Sequence, residues 1–259
     1  MSLSDLKIGI VGSGNVAHHL AHAFYFHPEI NFNSIYTRNV KTGRVLADAV
    51  QVSFIETLDE FLDLNDLIII CASDDSIDNL CKQLKGKQQI IAHTSGVVSI
   101  EVLKQASENY GSFYPLQTFT KTREVDLKEV PFLIAASNTH SRKILEELAH
   151  LVSNKVRLVS DEKRRKLHLA AVMVNNFSNH LFALTKDYTN KLALDFDLLK
   201  PLMQETVMKA LAQNPKDIQT GPAKRKDTKT IEEHLKMLEN QKLQEIYLWF
   251  TESIGKYYE

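Results

Sequence analysis

The residues best suited to chemistry in this 259-residue sequence sit on a segment that is otherwise apolar. His168, Asn175 and Asn179 are spaced seven and four apart, with Asn176 and His180 beside them. That spacing puts the first three on one narrow helix face. The surrounding run, from Leu167 to Phe182, reads as a helix buried nearly all round. Polar groups there need partners or a ligand. A histidine exchanges its proton near neutral pH, so His168 is a candidate general acid or base. The Asn175 and Asn176 amides are candidates to polarise a substrate oxygen, and Asn179 to touch the substrate. The alternative is an amide–histidine ladder between helices. Further on, the loop around Thr220, Gly221, Lys224 and Arg225 offers a hydroxyl, amides and cations. It either clamps an acidic substrate or merely connects two helices.

A different chemistry is written near the start. Ile8–Val11 is a short apolar run, and Gly12-Ser13-Gly14-Asn15-Val16-Ala17 follows at once. Apolar residues then recur at helical spacing (Val16, Leu20, Ala23, Phe24). This is strand, glycine turn and helix with the pattern G-x-G-x-x-A. Gly12 permits the turn, Gly14 lets backbone approach a pyrophosphate, and Ala17 keeps the helix close to the strand. The helix N-terminus presents free N–H groups to the phosphates. The next strand ends in Thr37-Arg38-Asn39, with no acidic residue between Asn31 and Thr42. A carboxylate there would bond a ribose 2′-hydroxyl; an arginine pairs with a 2′-phosphate. The expected cofactor is therefore NADP(H).

These residues need elements to hold them. Asp66–Ala72 is a near-continuous apolar run, as in a parallel strand buried on both faces. It ends in Ala72-Ser73, and a further strand closes in His93-Thr94-Ser95-Gly96. In a doubly wound sheet such carboxyl ends line the ligand crevice, so these six residues are candidate cofactor neighbours. For Ser73, Thr94 and Ser95 the alternative is helix capping. More strands are expected at Phe32–Thr37, Val52–Ile55, Ser112–Pro115, Pro131–Ala136 and, at a sheet edge, Val156–Val159. After Ser160 strand patterns cease. Helices are expected over Asp161–Lys191, Leu198–Gln213 and Thr230 to the end, the last opened by a Thr230-Ile-Glu-Glu capping box. Lys163-Arg164-Arg165-Lys166 reads as a solvated face. The fold class is an α/β Rossmann doubly wound parallel sheet (1–158) followed by an all-helical domain (159–259).

Hydrophobic residues make 44% and charged residues 24%, with net charge −1, which argues against bulk nucleic-acid affinity. No long uncharged apolar run calls for a membrane span, and the first residues do not resemble a signal peptide. Cys71 and Cys81 are expected as buried, reduced thiols in a cytoplasmic protein, and no metal site is expected.

Several stretches together resemble a known family: Gly12–Ala17, His93–Gly96, Tyr114–Phe119, His168–Ala171 through Asn175–Phe177, and Thr220–Ala223 with Asp227. The N-terminal half is similar to NADP-binding domains of the 6-phosphogluconate dehydrogenase-like superfamily, which includes pyrroline-5-carboxylate, ketopantoate and deazaflavin-dependent NADP oxidoreductases. The whole chain resembles bacterial NADP oxidoreductases that join such a domain to a helical domain of uncharacterised function. The resemblance implies that Gln117, Thr118, the His168–Asn179 face and the Thr220 loop meet over the nicotinamide. It also implies hydride transfer to or from a small carbonyl, imine or hydroxy acid between the domains of a homodimer, and so assigns substrate binding and dimerisation to the helical domain. Three residues depart from the family's pattern: Tyr114 stands for a histidine, Lys226 for a glycine, and Val172 where hydroxyacid dehydrogenases carry a lysine. The last departure favours the competing reading, a non-catalytic NADP(H)-binding sensor or scaffold.

Overall fold

The computed structural model describes residues 3–84 and 88–258. Its strands are β1 (Ile8–Val11), β2 (Phe32–Tyr36), β3 (Ser53–Ile55), β4 (Leu67–Ile70), β5 (Ile90–His93), β6 (Tyr110–Pro115), β7 (Phe132–Ala136) and β8 (Val156–Leu158). They form one sheet in the order β3-β2-β1-β4-β5-β6-β7-β8. Neighbours run parallel except β6 and β7, which are antiparallel. The helices among them are α1 (Asn15–Phe26), α2 (Val40–Ala49), α3 (Leu58–Leu64), α4 (Asp74–Gln83), α5 (Thr139–Val152) and α6 (Asp161–Ala171).

The apolar runs are explained by cover on both sides. Ile8, Ile10, Leu67 and Ile69 pack into one core with residues of α1, α2 and α5. Val11, Ile68 and Ile70 point the other way, into a core with residues of α3 and α4. Successive strand residues alternate between faces, so a strand with helices on both sides must be apolar throughout. Cys71 and Cys81 are free and buried in these cores, where burial pushes their thiols up to about 12 and about 11.

Two compact units divide the chain, Met1–Asn176 and Phe177–Glu259. The second holds α7 (Ser178–Lys191), α8 (Lys200–Ala212), α9 (Pro215–Ile218), α10 (Thr228–Met237) and α11 (Gln241–Tyr257). Among its described residues only Thr189 and Ala223 are buried. No helix among the described residues is long and apolar enough to cross a membrane.

Four expectations are corrected. The segment from Asp161 to Lys191 is not one regular helix, because Val172–Phe177 is π-helical. Nor is it buried all round: Met173 is 58% and Val174 74% exposed, and Val174 lines a cavity. The last helix is broken between Met237 and Gln241, where Asn240 caps α11 by accepting from the Leu243 N–H at 3.1 Å. The cap of α10 is Asp227, which accepts from the Thr230 N–H at 3.2 Å and from its hydroxyl at 2.8 Å. A carboxylate outcompetes Thr230 because it also complements the helix dipole.

Candidate functional site

At the sheet's switch point, α1 leaves β1 toward one face and α4 leaves β4 toward the other, opening a crevice at the strands' carboxyl ends. Gly12 has φ +121°, and a Cβ there would collide with the Cys71 carbonyl oxygen. A Cβ at Gly14, the residue before α1, would meet nothing within 4 Å. A cavity of about 290 Å³ lies here, lined by Gly12, Ser13, Gly14, Thr37, Arg38, Ala72 and Ser73, among others. Ser13 Oγ lies 2.7 Å from Thr42 Oγ1, tying the turn to α2. Ser73 stands at the cap position of α4 but makes no capping bond; its hydroxyl pairs with Ser76 Oγ at 2.7 Å. Ser76 also accepts from Arg38 Nη2 at 3.3 Å. Thus an Arg38–Ser76–Ser73 chain spans the crevice, and Ser76, one turn past Ser73, is the member the sequence does not announce. Asn39 lies outside the lining and caps α2, accepting from the Thr42 N–H at 3.2 Å. Ala17 is fully buried, as close helix–strand packing requires. The lining holds one guanidinium and no carboxylate. An open backbone cradle with a cation suits a pyrophosphate and a 2′-phosphate, so the residues fit NADP(H).

A second cavity, of about 590 Å³, adjoins the other side of the same turn. Asn15 and Val16 line it from α1, Tyr114 and Leu116 to Phe119 from the end of β6, and Leu167 to Asn176 from α6 onward. His168, Asn175, Asn176, Gln117 and Thr118 are all brought together here. The π-helical stretch contributes, because each of its turns takes an extra residue and so two adjacent asparagines share His168's cavity. Asn179 lies beyond it, exposed and outside the lining. Val172 lines the cavity, so an isopropyl group stands at the lysine position of the resemblance. Tyr114 Oη and His168 Nδ1 are 2.9 Å apart. Burial pushes the Tyr114 phenol above its ordinary value; the Arg164 charge opposes this and Asp74 adds to it. The lining loop is held from α1, where His19 Nε2 meets the Thr120 carbonyl at 3.0 Å.

Beneath this cavity the charge run is corrected. Lys163, Arg165 and Lys166 are exposed, but Arg164 is fully buried. It lies four residues before His168 and therefore on the same inward face. Arg164 Nη2 donates to Asp161 Oδ1 at 2.7 Å and to the Val98 carbonyl. Asp161 in turn accepts from the Ile100 N–H at 3.2 Å, so α6 is stapled to the loop after β5. Arg164 Nε and Nη1 find no partner among the described residues. Gly96 has a task other than approaching a cofactor: a Cβ there would collide with the His168 ring. His93, Thr94 and Ser95 are buried and line neither cavity. His93 Nδ1 accepts from the Ser95 N–H at 3.2 Å; burial first, and Arg164 next, push its imidazole down to about 4. Thr94 Oγ1 donates to the Ile70 carbonyl at 3.3 Å. Ser95 Oγ accepts from the N–H groups of Val97 and Val98 at 3.1 and 3.0 Å. These three side chains brace the site's floor.

In the helical unit the Thr220 loop is a self-contained turn whose Thr220, Gly221, Lys224 and Arg225 line neither cavity. Lys224 Nζ donates to the Gln219 carbonyl at 2.9 Å and sits 5.0 Å from the Tyr258 ring centroid. Lys226 has φ +55°, a left-handed conformation that suits glycine and gives a physical reason for a glycine at that position.

The switch-point crevice, the glycine turn and the guanidinium at the end of β2 define a Rossmann protein fitted to NADP(H). Residues 7–102 match the family described as NADP oxidoreductase, coenzyme F420-dependent, and residues 130–254 match a domain of unknown function, DUF2520. A Bacteroides fragilis protein described as a "putative NADP oxidoreductase" is 37% identical, with 98% of this chain and 100% of that one covered and a TM-score of 0.91. The chain belongs to this family of NADP oxidoreductase domains joined to a DUF2520 domain, whose cofactor is NADP(H). Two more distant structures share the fold. An imine reductase from Myxococcus stipitatus, in complex with NADP+, is 13% identical over 96% of this chain and 92% of that one, with a TM-score of 0.63. A 1-pyrroline-5-carboxylate reductase from Streptococcus pyogenes is 14% identical over 97% and 98%, also at 0.63. No curated protein matches the chain.

Proposed function

We propose that the protein is an NADP(H)-dependent oxidoreductase that reduces a small carbonyl or imine, or oxidises the corresponding hydroxy acid. One observation carries the reading: a single cavity is lined by Asn15 and Val16 of the dinucleotide turn and by His168, Asn175 and Asn176. The polar row thus faces the space into which the turn would direct a nicotinamide. Bound NADPH supplies the hydride. Gly12, Ser13 and Gly14 hold the pyrophosphate through backbone N–H groups. Thr37 and Arg38 hold the 2′-phosphate, with Ser76 orienting the guanidinium. His168 exchanges the accompanying proton, and the two asparagine amides steady the substrate's oxygen or nitrogen.

The helical part completes the reading. Its exposed apolar side chains, such as Leu211 at 78% and Trp249 at 65%, support a homodimer in which a second copy covers them. In the sheet unit the buried, unpaired thiols of Cys71 and Cys81 suit a reducing cytoplasm.

Screening carbonyls, imines and coenzyme F420 for NADPH consumption by the purified protein tests the activity. His168→Ala should lose rate and keep NADPH affinity. Protein that binds NADPH and consumes it with none of these compounds is the sensor instead. Arg38→Asp should weaken NADPH by roughly thirtyfold, about 2 kcal/mol, and NADH by less than about threefold. Equal weakening of both rules out a 2′-phosphate contact.

A further inference from the structure

We propose that the Tyr114 hydroxyl is the group that hands the proton to the substrate, with His168 as the relay that restores it. This rests on the oxidoreductase reading and gives a role to a residue that reading leaves idle. Reducing a C=O or C=N bond consumes one proton with each hydride. The Tyr114 O–H bond breaks as the new O–H or N–H bond of the product forms. The phenolate oxygen then takes the Nδ1 proton of the His168 imidazolium. That leaves a neutral imidazole, which solvent reprotonates once the product has left the cavity.

The geometry favours this order over direct donation by His168. Its Nδ1 is already committed to Tyr114 Oη at 2.9 Å, and its ring is wedged against Gly96. A phenol both accepts and donates, so accepting from Nδ1–H leaves its own proton to give. Among the described residues Tyr114 Oη has no other hydrogen-bond partner, and the side chain lines the cavity. Gln117 and Asn175 line the same space and can hold the acceptor atom in place. The pair is held from both sides. Tyr114 belongs to β6, paired on both edges, and His168 follows the Arg164 staple by one turn. Burial also keeps the phenol in its protonated, loaded form across the neutral range.

Tyr114→Phe removes the O–H and keeps the ring. With any substrate that supports turnover, its single-turnover rate of NADPH oxidation should fall about 10²–10⁴-fold while the NADPH Kd stays put. The second readout needs no turnover. In ¹⁵N-histidine-labelled protein, the His168 Nδ1 resonance, identified by its absence in His168→Gln, should move in Tyr114→Phe. The double variant should be no slower than Tyr114→Phe alone, because a relay acts only through the phenol. A Tyr114→Phe rate within threefold of wild type, an unmoved Nδ1 resonance, or additive losses in the double variant each overturn the proposal while leaving the oxidoreductase reading intact. A wild-type protein that consumes NADPH with no compound overturns both.

Discussion

The two units solve the problem of apolar surface in opposite ways. In the sheet unit, helices cover both faces, and even an arginine is taken fully out of water. In the helical unit only Thr189 and Ala223 are buried among the described residues, while large apolar side chains from Leu192 to Tyr257 stand exposed. An amphipathic helix is stable only where its apolar stripe is covered. The first unit therefore has a core to anchor its side chains, and the exposed apolar side chains of the second are what the proposed homodimer would cover. The residues that line the second cavity all lie before residue 177, while the sequence offers candidates on both sides of it.

The contrast can be broken at several strengths. Arg164→Ala should cost about 3–5 kcal/mol in urea unfolding, because it empties a large, fully buried site and leaves the partly exposed Asp161 without its partner. Lys163→Ala, one residue away and exposed, should stay within about 0.5 kcal/mol. Similar losses for both would mean that the run is solvated after all.

A charge test of the same floor comes next. His93 is held neutral, its value lowered from 6.5 to about 4. The unfolded chain therefore binds the proton first as the medium is acidified. Its contribution is complete above pH 6.5 and is lost as the pH falls toward 4, on the order of 3 kcal/mol in all. His93→Gln should flatten that part of the stability curve, and an unchanged slope would show that other groups control it.

The helical unit gives the next effect. Leu211→Glu should weaken self-association by roughly a hundredfold, about 3 kcal/mol, in sedimentation equilibrium. It should leave NADPH binding intact; a wild-type monomer would remove the second copy from the account. Smallest of all, Lys226→Gly should raise stability by about 0.5 kcal/mol, since the left-handed backbone at φ +55° costs lysine more than glycine. A loss would show that the lysine side chain matters more than its backbone.

Much of the sheet unit was legible beforehand because its signals are local. Ile8–Val11, the glycine turn and the periodic residues of α1 lie within one short stretch, and each residue type has one steric reason. Arg38 could be placed at the crevice from its position at a strand's end, and it does line the cavity there. The second cavity was only partly legible. Helical arithmetic at ordinary pitch placed Asn179 with His168 and Asn175, whereas the π-helical turns bring in Asn176 and Asn179 stays outside. Arg164 was hidden inside a charge run, because nothing local distinguishes it from Arg165. Only the loop after β5 supplies the carbonyl and the wall that bury it. Tyr114 could be noticed only as an unexpected residue. Its partner is 54 positions away, and no spacing rule reaches that far.

By itself the sequence determined the Rossmann architecture, the phosphate cradle and the preference for a phosphorylated ribose, since all three follow from steric and charge properties of neighbouring residues. Tertiary structure alone decided which polar side chains meet. The Tyr114–His168 pair, the buried Arg164 beneath it and Gly96 against the imidazole exist only because β6 and α6 are packed on the loop after β5, and contacts between distant segments leave no periodic trace in the chain.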